Sequence, residues 1–151
     1  LLELWGKDLP DRPPNLCPGC PHRAMYYAVK IALKDLGREG IFPTDIGCYT
    51  LGLLPPLSMA DYLICMGSSI STAAGISRAT GQTVVAFIGD STFFHAGLTG
   101  LANAVHNGHD LLLVILDNGT TAMTGHQPTP QLGITAMGEA TSDYLVHTID
   151  P

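Results

Sequence analysis

Residues 83–88 and 111–116 are nearly continuous runs of Val, Ile, Leu and Phe. Parallel strands have this character when helices cover both faces of their sheet. Upstream, Met25, Ala28, Val29, Ala32, Leu33 and Leu36 recur at three- and four-residue spacing. That spacing predicts an amphipathic helix over 22–36, ended by Gly37 and Gly40. Residues 40–46 and 61–65 read as shorter strands, the first weakened by Pro43. The stretch 70–80, with Ala73, Ala74, Gly75 and Ala79, predicts a helix close against the sheet. Residues 91–107 predict another, ending at Gly108. A long loop over 120–133 carries Gly125, Pro128, Pro130 and several threonines, and loops of that length in compact domains are commonly functional. A last strand is expected at 144–149.

Residues 1–16, with Pro10, Pro13 and Pro14, suit neither a helix nor a central strand and read as a lead-in or linker to a domain over 17–151. The alternation of strand and helix predicts an α/β fold: a doubly wound, mostly parallel sheet with helices on both faces and right-handed crossovers. No internal repeat is visible.

Composition narrows the class. The chain has 151 residues, 46% hydrophobic and 13% charged, which suits one compact domain. A net charge of -6 with scattered Lys and Arg argues against nucleic acid or an anionic membrane as a partner. No apolar stretch approaches the roughly 20 residues needed to span a bilayer, and no basic-then-apolar leader opens the chain. A soluble, cytoplasmic protein is expected. The sequence starts without Met and stops abruptly at Ile149, Asp150 and Pro151, so it reads as a segment of something longer.

The candidate chemistry sits at the ends of the two long apolar runs. Gly89-Asp90-Ser91 follows the first and Asp117-Asn118-Gly119 follows the second. If the runs are neighbouring parallel strands, both side-chain oxygens emerge at the carboxyl edge of the sheet, where open α/β sheets hold ligands. A carboxylate and an amide oxygen suit Mg²⁺, which completes its octahedron with phosphate oxygens and water. Taken singly, Asp90 reads as a helix N-cap and Asn118 as a turn residue. Cys17-Pro18-Gly19-Cys20 is a close pair of the kind that ligates metals or clusters in intracellular proteins, with half a zinc site or buried thiols as alternatives.

Asp90 and Asn118, 28 positions apart, resemble the thiamine-diphosphate motif, a Gly-Asp pair and an Asn separated by a helix and a strand. Cys17-Pro18-Gly19-Cys20-Pro21-His22, Asp45-Ile46-Gly47-Cys48 and Ala122-Met123-Thr124-Gly125-His126-Gln127 narrow the likeness. Together they resemble the diphosphate-binding domain of the 2-oxoacid:ferredoxin oxidoreductases, most closely the large subunits of the indolepyruvate-oxidising members. The likeness covers about residues 13–130.

The resemblance implies that Asp90, the Asn118 side chain and the Thr120 backbone carbonyl ligate Mg²⁺. It implies that Gly89 and Ser91 let the backbone approach the diphosphate near a helix N-terminus. Thr124, Gly125 and His126 would close over the phosphates, and Gly47, Cys48, Met66 and Gly67 would line the cofactor's rings. Met66 reads otherwise as core filler. His22 and His126 would flank the site, while His95, His106, His109 and His147 read as surface or helix-end residues.

The implied activity is oxidative decarboxylation of a 2-oxo acid, an aryl pyruvate such as indolepyruvate. Electrons would pass through iron-sulfur clusters to ferredoxin, and coenzyme A would take the acyl group. The family's activating glutamate comes from a separate pyrimidine-binding domain, and Glu3, Glu39 and Glu139 lie next to no cofactor motif. That domain and a second subunit are therefore expected partners, and the segment alone is expected to bind weakly or not turn over. Cys17, Cys20 and Cys48 match three ligands of a [4Fe-4S] cluster whose fourth lies far downstream, a position that Cys65 does not match. The rival readings are a non-oxidative thiamine-dependent decarboxylase and a small cysteine-based metal-binding module.

Overall fold

The computed structural model describes residues 12–142. A parallel three-stranded sheet in the order β1-β2-β3 forms its centre, with β1 at Gly40–Ile41, β2 at Thr83–Gly89 and β3 at Leu112–Leu116. All of β2 after Thr83 is buried, as its unbroken apolar run predicts. The sheet's edge beyond β1 is looser than the sequence suggests. Residues 40–46 form a regular strand only at Gly40–Ile41, and 61–65 contribute a single parallel bridge, Pro43 to Tyr62. Pro43 has no N–H to give a ladder, but its carbonyl still accepts the Phe87 N–H at 3.0 Å.

Alternation along β2 assigns its two faces. Val85 and Phe87 join Leu16, Tyr26, Tyr49 and Met59 in one core, under the helix α1 (Pro21–Asp35). Val84, Ala86 and Ile88 face the opposite side, under α2 (Ser68–Thr80) and the helix that follows β2. Helices therefore cover both faces, as expected. Ala73 and Ala74 of α2 are fully or almost fully buried, and their small side chains let this helix approach the sheet. Leu16, assigned to the lead-in by its proline-rich surroundings, is buried in the first core.

Helix α1 buries a face that only partly matches the stripe its spacing suggests. His22 and Tyr26 are buried and Val29 and Leu33 pack on the core, whereas Met25, Ile31 and Leu36 are exposed. Tyr26 decides this orientation. Its ring meets Phe87 edge-on with centroids 4.7 Å apart, and its hydroxyl donates to the Tyr49 carbonyl at 2.6 Å. The helix stops as expected, with Gly37 left-handed and the Arg38 N–H bonded to the Leu33 carbonyl.

The helix predicted over 91–107 is present in three pieces: α3 (Asp90–Thr92), a π turn at Phe93–Gly97, and α4 (Leu98–His106). Gly97 lies so close to Ile88 that a Cβ there would come within 2.9 Å of its terminal methyl. The strand expected at 144–149 and His147 lie outside the described residues. Among the described residues no helix is long and apolar enough to cross a membrane.

Candidate functional site

Parallel register pairs Gly89 with Leu116, so Asp90 and Asp117 leave the sheet as neighbours with Asn118 one residue further on. Asp90 opens α3 and is only 2% exposed. Its Oδ2 accepts a hydrogen bond from Gln131 Nε2 at 3.1 Å, and the same amide donates to Asp117 Oδ1 at 3.0 Å. Burial raises the pKa of the Asp90 carboxyl and the charge of Asp117 raises it further, against backbone N–H groups of Ser91 and Gly119 that favour the ionised form. No Lys or Arg stands among the described residues lining this cleft.

The loop after β3 is shaped by its own polar side chains. Asp117 Oδ1 accepts the Gly119 N–H at 3.0 Å and Asn118 Oδ1 accepts the Thr120 N–H at 3.1 Å, two overlapping Asx turns. Ser91 Oγ and Thr121 Oγ1, 2.7 Å apart, tie the loop to α3. A bridge between Thr121 and Gln127 then closes it, and the Gln127 side chain bonds Thr124 twice.

A cleft of about 80 Å³ lies between these segments. It gathers Gly47 and Cys48 from one loop, Met66 from a second, Gly89, Asp90 and Ser91 from the strand-to-helix junction, and Asn118, Thr120 and Thr124 from the loop after β3. His22 lines it as well, buried beneath Tyr49 with its imidazole pKa lowered by desolvation. Three residues expected at the site are not in its lining. Gly67 is buried at the start of α2, while Gly125 and His126 adopt left-handed backbone on an exposed turn that brings Gln127 back to Thr121. A second cavity of about 930 Å³ adjoins the cleft and shares Met66, Ser91, Thr121 and Thr124 with it.

One residue outside the expected site holds two of these loops in place. Asp45, completely buried, accepts hydrogen bonds from the Tyr49 hydroxyl, the Gly67 N–H at 3.1 Å, the Ser69 N–H at 3.4 Å and the Ser69 hydroxyl at 2.9 Å. One carboxylate thus joins the Gly47-Cys48 loop to the start of α2 just after Met66. Tyr49 occupies the space that glycines leave open. A Cβ on Gly89 would stand 2.7 Å from its ring, and one on Gly47 would overlap the same ring.

Gly67 has φ 84°, and a Cβ there would stand 2.6 Å from that of Ala96. Gly67→Ala is expected to destabilise the fold by about 2–4 kcal/mol, from the left-handed backbone and the overlap together. A denaturant titration reads this directly, and an unchanged midpoint would contradict it.

All four cysteines are free, Cys17 and Cys65 exposed and Cys20 and Cys48 half-buried. Burial pushes the Cys48 thiol up and the nearby Cys17 and Cys20 push it further, so these three lie within electrostatic reach of one another. Cys65 is not part of that group. Among the described residues, no three His, Cys, Asp or Glu side chains are arranged to hold a metal ion.

The family described as "Thiamine pyrophosphate enzyme, C-terminal TPP binding domain" matches residues 45–150. The indolepyruvate oxidoreductase subunit IorA of Methanothermobacter marburgensis is 67% identical over 135 residues, which cover 87% of this chain and 22% of that protein. Its counterpart in Archaeoglobus fulgidus is 53% identical over 131 residues, 87% of this chain and 21% of that protein. Pyruvate synthase subunit PorB of Methanothermobacter thermautotrophicus is 28% identical over 121 residues, 74% of this chain and 41% of that protein. The chain thus spans about a fifth of the length of the IorA relatives. Among solved structures, the 2-oxoglutarate:ferredoxin oxidoreductase from Magnetococcus marinus with 2-oxoglutarate, coenzyme A and succinyl-CoA bound superposes with a TM-score of 0.75 at 20% identity. It covers 91% of this chain and 50% of that one, a likeness of fold.

Proposed function

Because the chain belongs to the thiamine pyrophosphate enzymes, whose C-terminal TPP-binding domain it carries, we propose that it binds thiamine diphosphate through Mg²⁺ within a cytoplasmic, ferredoxin-dependent oxidoreductase that decarboxylates aryl pyruvates. The similarity to IorA proteins supports the substrate class, and the similarity to PorB supports the wider 2-oxo acid family. The observation that carries the reading is the pairing of Asp90 with the Asp117-Asn118 corner across adjacent parallel strand ends. It sets a buried carboxylate beside Asp117, with the Gln131 amide bridging the two.

A hard divalent cation fits that donor set. Asp90, the Asn118 amide oxygen and the Thr120 carbonyl would hold it as Mg²⁺, with phosphate oxygens and water completing its shell. When bound, thiamine diphosphate supplies the nucleophilic carbon and the electron sink that decarboxylation of a 2-oxo acid needs. The chain's own residues bind and orient. Asp90 and the loop from Asn118 to Thr124 hold the diphosphate end, while Met66, Gly47 and Cys48 wall the ring end in a position fixed by Asp45. A pyrimidine-binding domain with its activating glutamate, a second subunit, and the sites for ferredoxin and coenzyme A would be supplied by elements other than these residues.

The cysteines fit a cluster less completely. Cys17, Cys20 and Cys48 would supply three thiolates to a [4Fe-4S] cluster that needs four, and the described residues do not supply the last.

Calorimetry on the full-length protein tests the reading. Thiamine diphosphate is expected to bind in Mg²⁺ and to lose at least about tenfold in affinity when the metal is chelated. Metal-independent binding, or none, would refute it.

A further inference from the structure

We propose that the larger cavity receives the substrate itself, a 2-oxo acid with a bulky apolar side chain, and that His95 takes its carboxylate. This rests on the reading that the adjoining cleft holds thiamine diphosphate. The cavity measures about 930 Å³ and shares Met66, Ser91, Thr121 and Thr124 with the cleft, so a molecule inside it lies beside the cofactor. Binding sites for small organic molecules commonly run to about 300–1,000 Å³, with mostly apolar walls and a few polar groups that fix orientation. Pro128, Pro130, Leu132 and Ile134 give this cavity such a wall.

Among the described residues lining the cavity, His95 is the only ionisable one. A carboxylate leaving water needs a charged or hydrogen-bonding partner, and in a chain of net charge -6 that partner has to be local. Ser91 and His95 both line the cavity from the helical segment that Asp90 begins, four residues apart, while Asp90 itself lines the cleft. His95 belongs to the π turn Phe93–Gly97, a rare conformation found often at functional sites. The loop wall offers a second polar group: Thr129 is 2% exposed, and among the described residues its hydroxyl has no hydrogen-bond partner. The arrangement matches an aryl pyruvate in outline, with one acidic group at the helix and one large apolar group against the proline-rich loop. Substrate selectivity then resides partly in this chain and not in the partner domain alone.

The test uses the full-length enzyme with its second subunit and two probes, a 3-arylpropanoate and its neutral amide. His95→Ala is expected to weaken inhibition by the acid about 10- to 100-fold and to change inhibition by the amide by less than about threefold. A merely structural role would weaken both equally. Leu132→Trp, which fills the apolar end, is expected to raise KM for an aryl pyruvate at least about tenfold relative to KM for pyruvate. Thiamine diphosphate affinity is measured on the same preparations. If the wild type binds no cofactor, the earlier reading fails and takes this one with it. If cofactor binding is intact but acid and amide respond alike to His95→Ala, or Leu132→Trp leaves the aryl-to-pyruvate ratio unchanged, this proposal alone is overturned.

Discussion

Asp90→Ala in the full-length protein is expected to weaken binding of Mg²⁺ and thiamine diphosphate by about 100-fold or more, with the fold retained. The expectation follows from position and charge. Asp90 is the buried carboxylate among the proposed ligands, and a charge-assisted contact worth about 3 kcal/mol corresponds to roughly 100-fold in affinity. The fold should survive because the side chain is a burden in the cofactor-free protein. Burial and Asp117 both disfavour its ionised form, and its side-chain partner, the Gln131 amide, comes from a loop. Asp90→Asn should therefore bind the cofactor as poorly as alanine does while matching or exceeding the wild type in stability without cofactor. Calorimetry and denaturant titration on the same three proteins separate the two effects. Equal cofactor affinity in Asp90→Ala and wild type would remove Asp90 from the metal site. Unfolding of Asp90→Asn would show that the carboxylate supports the fold instead.

The parts of this site that could be read from the sequence are those fixed by local pattern. Two apolar runs with polar residues at their ends predict two neighbouring parallel strands, which put Asp90 and Asn118 at one edge, although in β3 only Leu116 is buried. What escaped notice depends on which way a side chain turns. Asp45 ends a segment too short and too interrupted by Pro43 for alternation to assign its faces, and only the packed loops show its carboxylate pointing inward. Gln131 reaches Asp90 across 41 positions of chain from within a loop, where no period exists to read. On α1 two apolar faces compete, and Tyr26 settles the choice through a bond to the Tyr49 backbone that spacing does not foretell. His95 was assigned to a surface or helix end, and it is exposed there; that it also lines the cavity is a matter of tertiary packing that no period shows.

Asp45→Ala is expected to destabilise the protein by about 3–5 kcal/mol, a large share of the 5–15 kcal/mol typical of a domain. The substitution leaves the Tyr49 hydroxyl, the Gly67 and Ser69 N–H groups and the Ser69 hydroxyl facing a buried gap with no acceptor. Asp45→Asn should cost less, about 1–2 kcal/mol, because one amide oxygen still accepts while the NH₂ group confronts a donor. The two variants differ in pH dependence as well. Burial raises the Asp45 carboxyl above the usual range even though its hydrogen bonds to Tyr49, Ser69 and Gly67 pull it down. A raised carboxyl holds its proton more tightly in the folded state, so its contribution to stability is complete below the unfolded value of about 4 and is lost as pH rises through the higher folded value. Unfolding free energy of the wild type should fall over that window, and Asp45→Asn should flatten the slope there because it has no proton to release. A slope that is the same in both would assign the pH dependence to other groups. Because this carboxylate also joins the loop of Gly47 and Cys48 to the helix start behind Met66, the surviving fraction of folded Asp45→Asn should bind thiamine diphosphate more weakly at its ring end. Comparing intact cofactor with inorganic diphosphate isolates that loss, since inorganic diphosphate engages only the Asp90 end of the cleft and should bind both proteins alike.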